Sequence, residues 1–180
     1  MEENIEYNKN DAYHESMIRF IFAVGKIGAI QSDIDSLRNM DRDKVLQQIR
    51  DMLLSDDLEF RDVAIKALFN IDPYNGVDII LYSLHDPLAS WRWYICSALA
   101  YFGDVRAIPS LINVVMNDDD DETRYMAAFA LEKIGDNSAL SALQHVMQND
   151  SGVDYENRKV AAMAEEAIQS IIQRQDREKG

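Results

Sequence analysis

The stretch Thr123-Arg-Tyr-Met-Ala-Ala-Phe-Ala-Leu-Glu-Lys-Ile-Gly-Asp136 decides the fold. Counted from Arg124, the residues Ala127, Ala130, Leu131 and Ile134 sit at offsets of 3, 6, 7 and 10, which is one face of an α-helix. Gly135-Asp136 predicts a corner. Glycine takes the left-handed conformation that ends a helix, and aspartate accepts the free amides that begin the next. Working outward, arginines recur at Arg61, Arg92, Arg124 and Arg158, spaced 31, 32 and 34 residues apart. Ala67, Ala98 and Ala164 fall in the column of Ala130, while Leu68 and Leu99 fall in that of Leu131. Small residues on such a face let a neighbouring helix approach closely.

A second face follows each corner: Val77, Ile80 and Leu84, then Ile108, Leu111 and Val115, then Leu140, Leu143 and Met147. The corners are Asp72-Pro73, Gly103-Asp104 and Gly135-Asp136, with proline in a first helical turn, where it loses no hydrogen bond. Each unit reads as helix, tight corner, helix. The expected layout is a single domain with an amino-terminal tail over 1–12, a degenerate first repeat over 13–54, and three regular repeats over 56–148. A capping helix over 155–173 and a fraying tail over 174–180 complete it. In the first repeat Met17 takes the arginine column, the second helix spans 42–54, and residues 31–40 form an inserted loop or short turn. Glu165, where internal units carry leucine, suits the wet outer side of a terminal unit. The fold class is therefore all-α: a right-handed α-α superhelix of about four helix pairs plus a C-terminal capping helix.

The segments Gly103-Asp-Val-Arg-Ala-Ile-Pro-Ser-Leu111, Asn117-Asp118, Thr123-Arg124, Ala127-Ala128 and Leu131-Glu-Lys-Ile-Gly-Asp136 resemble the HEAT-like repeat of the phycobilisome-lyase type. The resemblance covers residues 56–172 well and 15–54 loosely. It implies a solenoid fold and is unspecific for function, because such repeats occur in many binding proteins. A phycobilin lyase or chromophore-handling subunit is the alternative it implies, since fold does not fix activity.

The chain has 180 residues, and 32 acidic against 18 basic side chains leave a net charge of −14, with no basic segment. Such a surface repels phosphate backbones, which argues against nucleic acid, and steers a basic protein partner instead. The lone Cys96 excludes an internal disulfide and a cysteine-based zinc site, and is expected in the core. The apolar stretch 17–30 contains Arg19 and Lys26 and is too short to span a bilayer. With the acidic start Met1-Glu-Glu-Asn, a cytoplasmic protein without membrane attachment is expected.

Four groups of residues are candidates for function or architecture. Asp86 and Asp118 each precede an arginine, Arg92 and Arg124, by six residues, and this ladder is expected to lock adjacent units. The run Asp118, Asp119, Asp120, Asp121 fails as an EF-hand, because Thr123 and Phe129 occupy the required glycine and glutamate positions. It reads as a helix start and an acidic docking surface. Trp91 and Trp93 flank Arg92 in columns that are mostly polar elsewhere, so an exposed aromatic edge is expected, centred on Trp93. The outward positions of the second helices are Gln47 and Asp51, then Asp78, Tyr82 and His85, then Asn113 and Met116, then His145 and Gln148. Together they form a mixed ridge suited to recognising protein. His14, His85 and His145 lack metal-ligand spacing, and there is neither a phosphate loop nor a serine elbow. No catalytic residue, metal or cofactor is read from the sequence.

Overall fold

The computed structural model describes residues 17–19, 21, 25, 31–53, 55, 57–84 and 91–179. These are helical apart from corners and links, with no strand among them and a single bridge between Val153 and Lys159. The helices are α1 Gln31–Arg38, α2 Arg42–Leu53, α3 Leu58–Ile71, α4 Pro73–Leu84, α5 Arg92–Phe102, α6 Ile108–Asn117, α7 Asp121–Ile134, α8 Leu140–Asn149 and α9 Val160–Lys179. The all-helical α-α solenoid class is the one found. The chain divides into two compact units, Met1–Ile79 and Ile80–Gly180, with the division inside α4.

In the first unit α1 and α2 both pack on α3. Val45, Ile49, Met52 and Leu53 of α2 are buried, as are Val63, Ala64, Ala67 and Leu68 of α3. Asp57 caps α3 by accepting the Glu59 amide at 2.8 Å. Gly25 sits so close to α3 that an added Cβ would lie 2.8 Å from Val63 Cα, which only glycine permits. Residues 31–38, expected as a loop or short turn, form the two-turn helix α1. It stays in place because Leu37 is buried and Arg38 donates to the carbonyls of Asn70 and Ile71, at 2.8 and 3.2 Å. Those carbonyls end α3 and have no partner within it.

In the second unit α5, α7 and α9 lie side by side, and α6 and α8 pack beside each other on that layer. Ala130 and Ala164 are fully buried and Ala98 nearly so, while Glu165 is exposed, in line with its place on the terminal unit. Asp104 and Asp136 accept the amides of Arg106 and Ser138, at 2.9 and 2.8 Å, and each opens a 3-10 turn into the second helix. Gly103 is left-handed (φ 73°), as its place at a helix end predicts. Gly135 is not. Its backbone is extended (φ −64°, ψ 153°), and glycine is needed because a Cβ would come within 2.9 Å of Ile171 Cδ1 on α9.

The carboxyl-terminal helix also departs from expectation. It starts at Val160 rather than near Tyr155, because residues 150–159 fold into a loop of their own. It then continues through the polar segment expected to fray. Arg174 holds it there by donating to the carbonyls of Glu132 and Gly135, at 2.6 and 2.8 Å, which finishes the end of α7. Ser170 adds a 2.9 Å hydrogen bond to the Glu132 carboxylate.

Candidate functional site

Clefts lie on either side of the short link between α6 and α7 in the second unit. The link is built from capping chemistry. Asp118 closes α6, with its amide donating to Val114 O at 3.0 Å, and its carboxylate accepts the Asp120 amide at 3.0 Å. Asp120 then caps α7 by accepting the Thr123 amide at 3.0 Å and the Thr123 hydroxyl at 2.6 Å. Asp119, between them, points to solvent.

The arginine columns bind this link together, and beside the partners six residues upstream they reach carboxylates well downstream. Arg92 donates to both carboxylate oxygens of Asp118, at 2.6 and 2.9 Å, twenty-six residues downstream. Arg124 repeats the reach to Asp150, at 2.7 and 3.1 Å. What Arg124 takes from Asp118, six residues upstream, is the backbone carbonyl, at 2.8 Å. Arg61 bonds the carbonyl of Ser55 at the same six-residue distance. Arg92 and Arg124 thus reach forward to carboxylates, while Arg61 and Arg124 each take a carbonyl six residues back. Asp86 and His85 lie outside the described residues. Burial would raise the Asp150 carboxyl, but the Arg124 guanidinium and the Gly152 amide outweigh it and hold it below the usual carboxylate range. The Asp118 side chain is 7% exposed and its carboxylate accepts three hydrogen bonds, so it is structural and leaves the acidic docking set.

Residues 150–159 form a loop latched onto the first turn of α7. Val153 donates its amide to Asp121 at 3.2 Å and Tyr155 donates its amide to Glu122 at 2.9 Å. Asp154 is buried and accepts the amides of Glu156 and Arg158, at 2.9 and 2.8 Å, and the Arg158 side chain as well. Burial pushes its carboxyl up, yet those donors keep it lower than usual. Gly152 packs so close that a Cβ would meet Arg124 Nη2 at 2.6 Å. The loop's backbone is tied down, but Tyr155 is 77% exposed.

The first cleft, about 680 Å³, lies between Trp93, the acidic turn Asp119–Glu122 and the loop residues Val153, Asp154 and Tyr155. Trp93 is half-buried and meets Tyr94 edge-on, with ring centroids 5.6 Å apart. Of the five carboxylates lining the cleft, Asp121 pairs with Arg124 at 2.6 Å and Asp154 with Arg158. Among the described residues, Asp119, Asp120 and Glu122 have no basic partner in ion-pair range. The second cleft, about 520 Å³, brings Met116 of α6 and His145 of α8 together with Arg124 and Asp150.

Asn113 and Gln148 are exposed on α6 and α8. Asn117 and Asn149 donate back to the carbonyls of Asn113 and His145, at 3.1 and 2.8 Å, giving the two helix ends the same finish. Tyr82 is 81% exposed. In the first unit Asp78 is exposed, and Gln47 and Asp51 are exposed and bonded to each other at 2.9 Å.

Trp91, expected on the exposed aromatic edge, lies in the core instead. It is only 3% exposed and offers no ring to a partner. Its column looked polar because Thr123 shares it, yet Thr123 is buried too, satisfied internally by Asp120. Tyr155 and Val153 were not anticipated as surface features. The longer spacing from Arg124 to Arg158, 34 residues against 31 and 32, is the trace of this loop in the sequence.

Among the described residues no group of three or more His, Cys, Asp or Glu is placed to hold a metal ion. None of their helices is long and apolar enough to cross a membrane. No curated protein matches the chain. A family model for HEAT repeats matches residues 77–172, more than half of the sequence. The paired helices, the recurring arginine columns and this match agree, and the chain belongs to the HEAT-repeat family.

Proposed function

We propose that this chain is a non-enzymatic protein-interaction module, an adaptor, inhibitor or immunity-type protein, that binds a basic partner in the cytoplasm. HEAT repeats commonly serve as scaffolds for protein interaction, since stacked units present long exposed helix faces. The observation that carries the reading is the link between α6 and α7, where Asp119, Asp120 and Glu122 have no basic partner among the described residues. Asn113, Met116, His145 and Gln148 form the polar ridge beside it, and Asp119, Asp120 and Asp121 supply the acidic docking surface. Tyr82, and in the first unit Gln47, Asp51 and Asp78, are further exposed positions assigned to partner contact. A net charge of −14 favours a basic protein over nucleic acid or an anionic membrane.

Affinity capture from the native host, followed by mass spectrometry, tests this. Basic proteins recovered at low salt and lost as salt rises are the expected outcome. Recovery of no protein at low salt would refute it. The alternative, a phycobilin lyase-like or chromophore-handling subunit, rests on the resemblance of the Gly103–Asp136 segment. Mixing the chain with a bilin and an apo-phycobiliprotein separates the two, because a coloured adduct would replace the interaction reading.

A further inference from the structure

We infer that the cleft between Trp93 and the loop bearing Tyr155 seats an arginine or lysine side chain from a basic segment of the partner protein. This rests on the reading of the chain as a module for basic partners, and it assigns the contact to this cleft rather than to the ridge of α6 and α8.

The first argument is shape. The cleft, about 680 Å³ and open to solvent, has one aromatic ring on each of two separate elements: Trp93 on α5 and Tyr155 on the loop after α8. Tyr155 stays 77% exposed although its own amide is fixed on Glu122 and the neighbouring Asp154 is buried. A firmly held backbone that leaves an aromatic ring and Val153, 39% exposed, in water is a prepared contact surface. Flat aromatic faces favour a guanidinium or an ammonium group over a neutral polar one.

The second argument is charge. Five carboxylates line the cleft; among the described residues Arg124 pairs with Asp121 and Arg158 with Asp154, while Arg92, itself paired with Asp118, acts on Asp119 and Asp120 only from beyond ion-pair range. Arg124 and Arg158 offset two of the five, Arg92 is matched by Asp118, and the amino terminus of α7 adds a dipole equivalent of about half a positive charge, so negative charge remains in excess. The net field therefore attracts a cation. An anionic ligand is repelled, and a neutral apolar one would strip water from Asp119, Asp120 and Glu122 without replacing it. A cationic side chain covers the rings with its stem and meets the carboxylates with its head.

Titrating the isotope-labelled full chain with an acetylated, amidated tetra-arginine peptide, followed by nitrogen–proton correlation spectra, tests the placement. The Trp93 indole and the amides of Val153 and Tyr155 should shift, while the buried Trp91 indole should not. Tyr155→Ser keeps the charge and removes only an exposed ring. It should weaken the peptide about fivefold, the size of one exposed cation–aromatic contact. Asp119→Asn should weaken binding as well. The doubly neutralised Glu165→Gln, Glu166→Gln chain, altered on exposed α9 positions, should bind as the parent does. Absence of peptide binding, shifts centred on Asn113, Met116 and His145, or equal loss from the α9 control would each overturn the assignment. So would spermidine displacing the peptide at equal concentration, since that would show a site reading charge alone. If basic proteins are still captured from the host in any of these cases, only the placement fails. If none is captured, the interaction reading fails with it.

Discussion

Asp118 serves two arginines with two different groups: its carboxylate accepts from Arg92 at 2.6 and 2.9 Å, and its carbonyl accepts from Arg124 at 2.8 Å. One residue in the link between α6 and α7 therefore joins the helix one repeat back to the helix that follows it. Arg124 passes the connection on to Asp150. The run Arg92, Asp118, Arg124, Asp150 is a continuous polar seam along the second unit, largely screened from water, in which bidentate guanidinium geometry supplies direction as well as energy.

Breaking this seam at one point strands its other members. Arg124→Ala leaves the Asp150 carboxylate, 11% exposed, without its cation, and should cost about 3 kcal/mol, as removal of one partner from a part-buried pair does. Urea unfolding checks this. The double variant Arg124→Met, Asp150→Leu should recover much of the loss, because no orphaned charge remains.

The two corner glycines answer to different constraints, so the same substitution should separate them. Gly103 is left-handed with open space where a Cβ would go, and Gly103→Asn should cost within about 1 kcal/mol, since asparagine tolerates that conformation. Gly135→Asn introduces a Cβ against Ile171 and the Leu131 carbonyl, and should cost about 2 kcal/mol or more. Thermal melting of both variants gives the comparison. Equal losses would contradict the close packing of α7 on α9.

Acid should unfold the second unit through a defined set of carboxylates. Asp104, beside the Arg106 guanidinium, and Asp136, bonded by the Ser138 hydroxyl, are held below the usual range. Asp150 and Asp154 are held low as well, despite burial. Groups lowered in the folded state take up protons first in the unfolded chain. Their stabilisation is complete above the unfolded value of about 3.9 and is lost as pH falls through the folded values. Melting temperature should be flat from neutrality to about pH 5 and fall steeply below about pH 4. Asp150→Asn should lower the plateau and flatten that fall.

Cys96 lies at 0% exposure, and its thiol is pushed far above its ordinary value, first by burial and then by the Asp118 carboxylate. Alkylating reagents should leave it untouched in the native chain at mildly alkaline pH, since the reactive form is the thiolate. Labelling should appear with denaturant in step with loss of helix. Prompt labelling of the native protein would show α5 opening locally.

The helix pairs were legible because a buried face repeats with the period of the helix, and Ala67, Ala98 and Ala130 mark it in every unit. The Asp104 and Asp136 caps were legible because aspartate after glycine has few other uses there. Less legible was anything set by atoms distant in sequence. Arg92 reaches the Asp118 carboxylate twenty-six residues ahead and Arg124 that of Asp150, a distance that local spacing does not reveal. Column averaging also misplaced Trp91, since a buried threonine passes for a polar surface residue until its internal acceptor is known. In the candidate site, the carboxylates and Trp93 were visible in the sequence. Tyr155 was hidden by the assumption that the last helix starts where the repeat period places it.

The segments joining successive hairpins differ threefold in length within one unit, three residues at Asp118–Asp120 and ten at Asp150–Lys159, while the helices on either side keep their stacking. Insertions at this edge are therefore absorbed without shifting the register of the core. A lineage built on this scaffold can change what it recognises by trading one edge segment for another, leaving the rest of the molecule to be inherited intact.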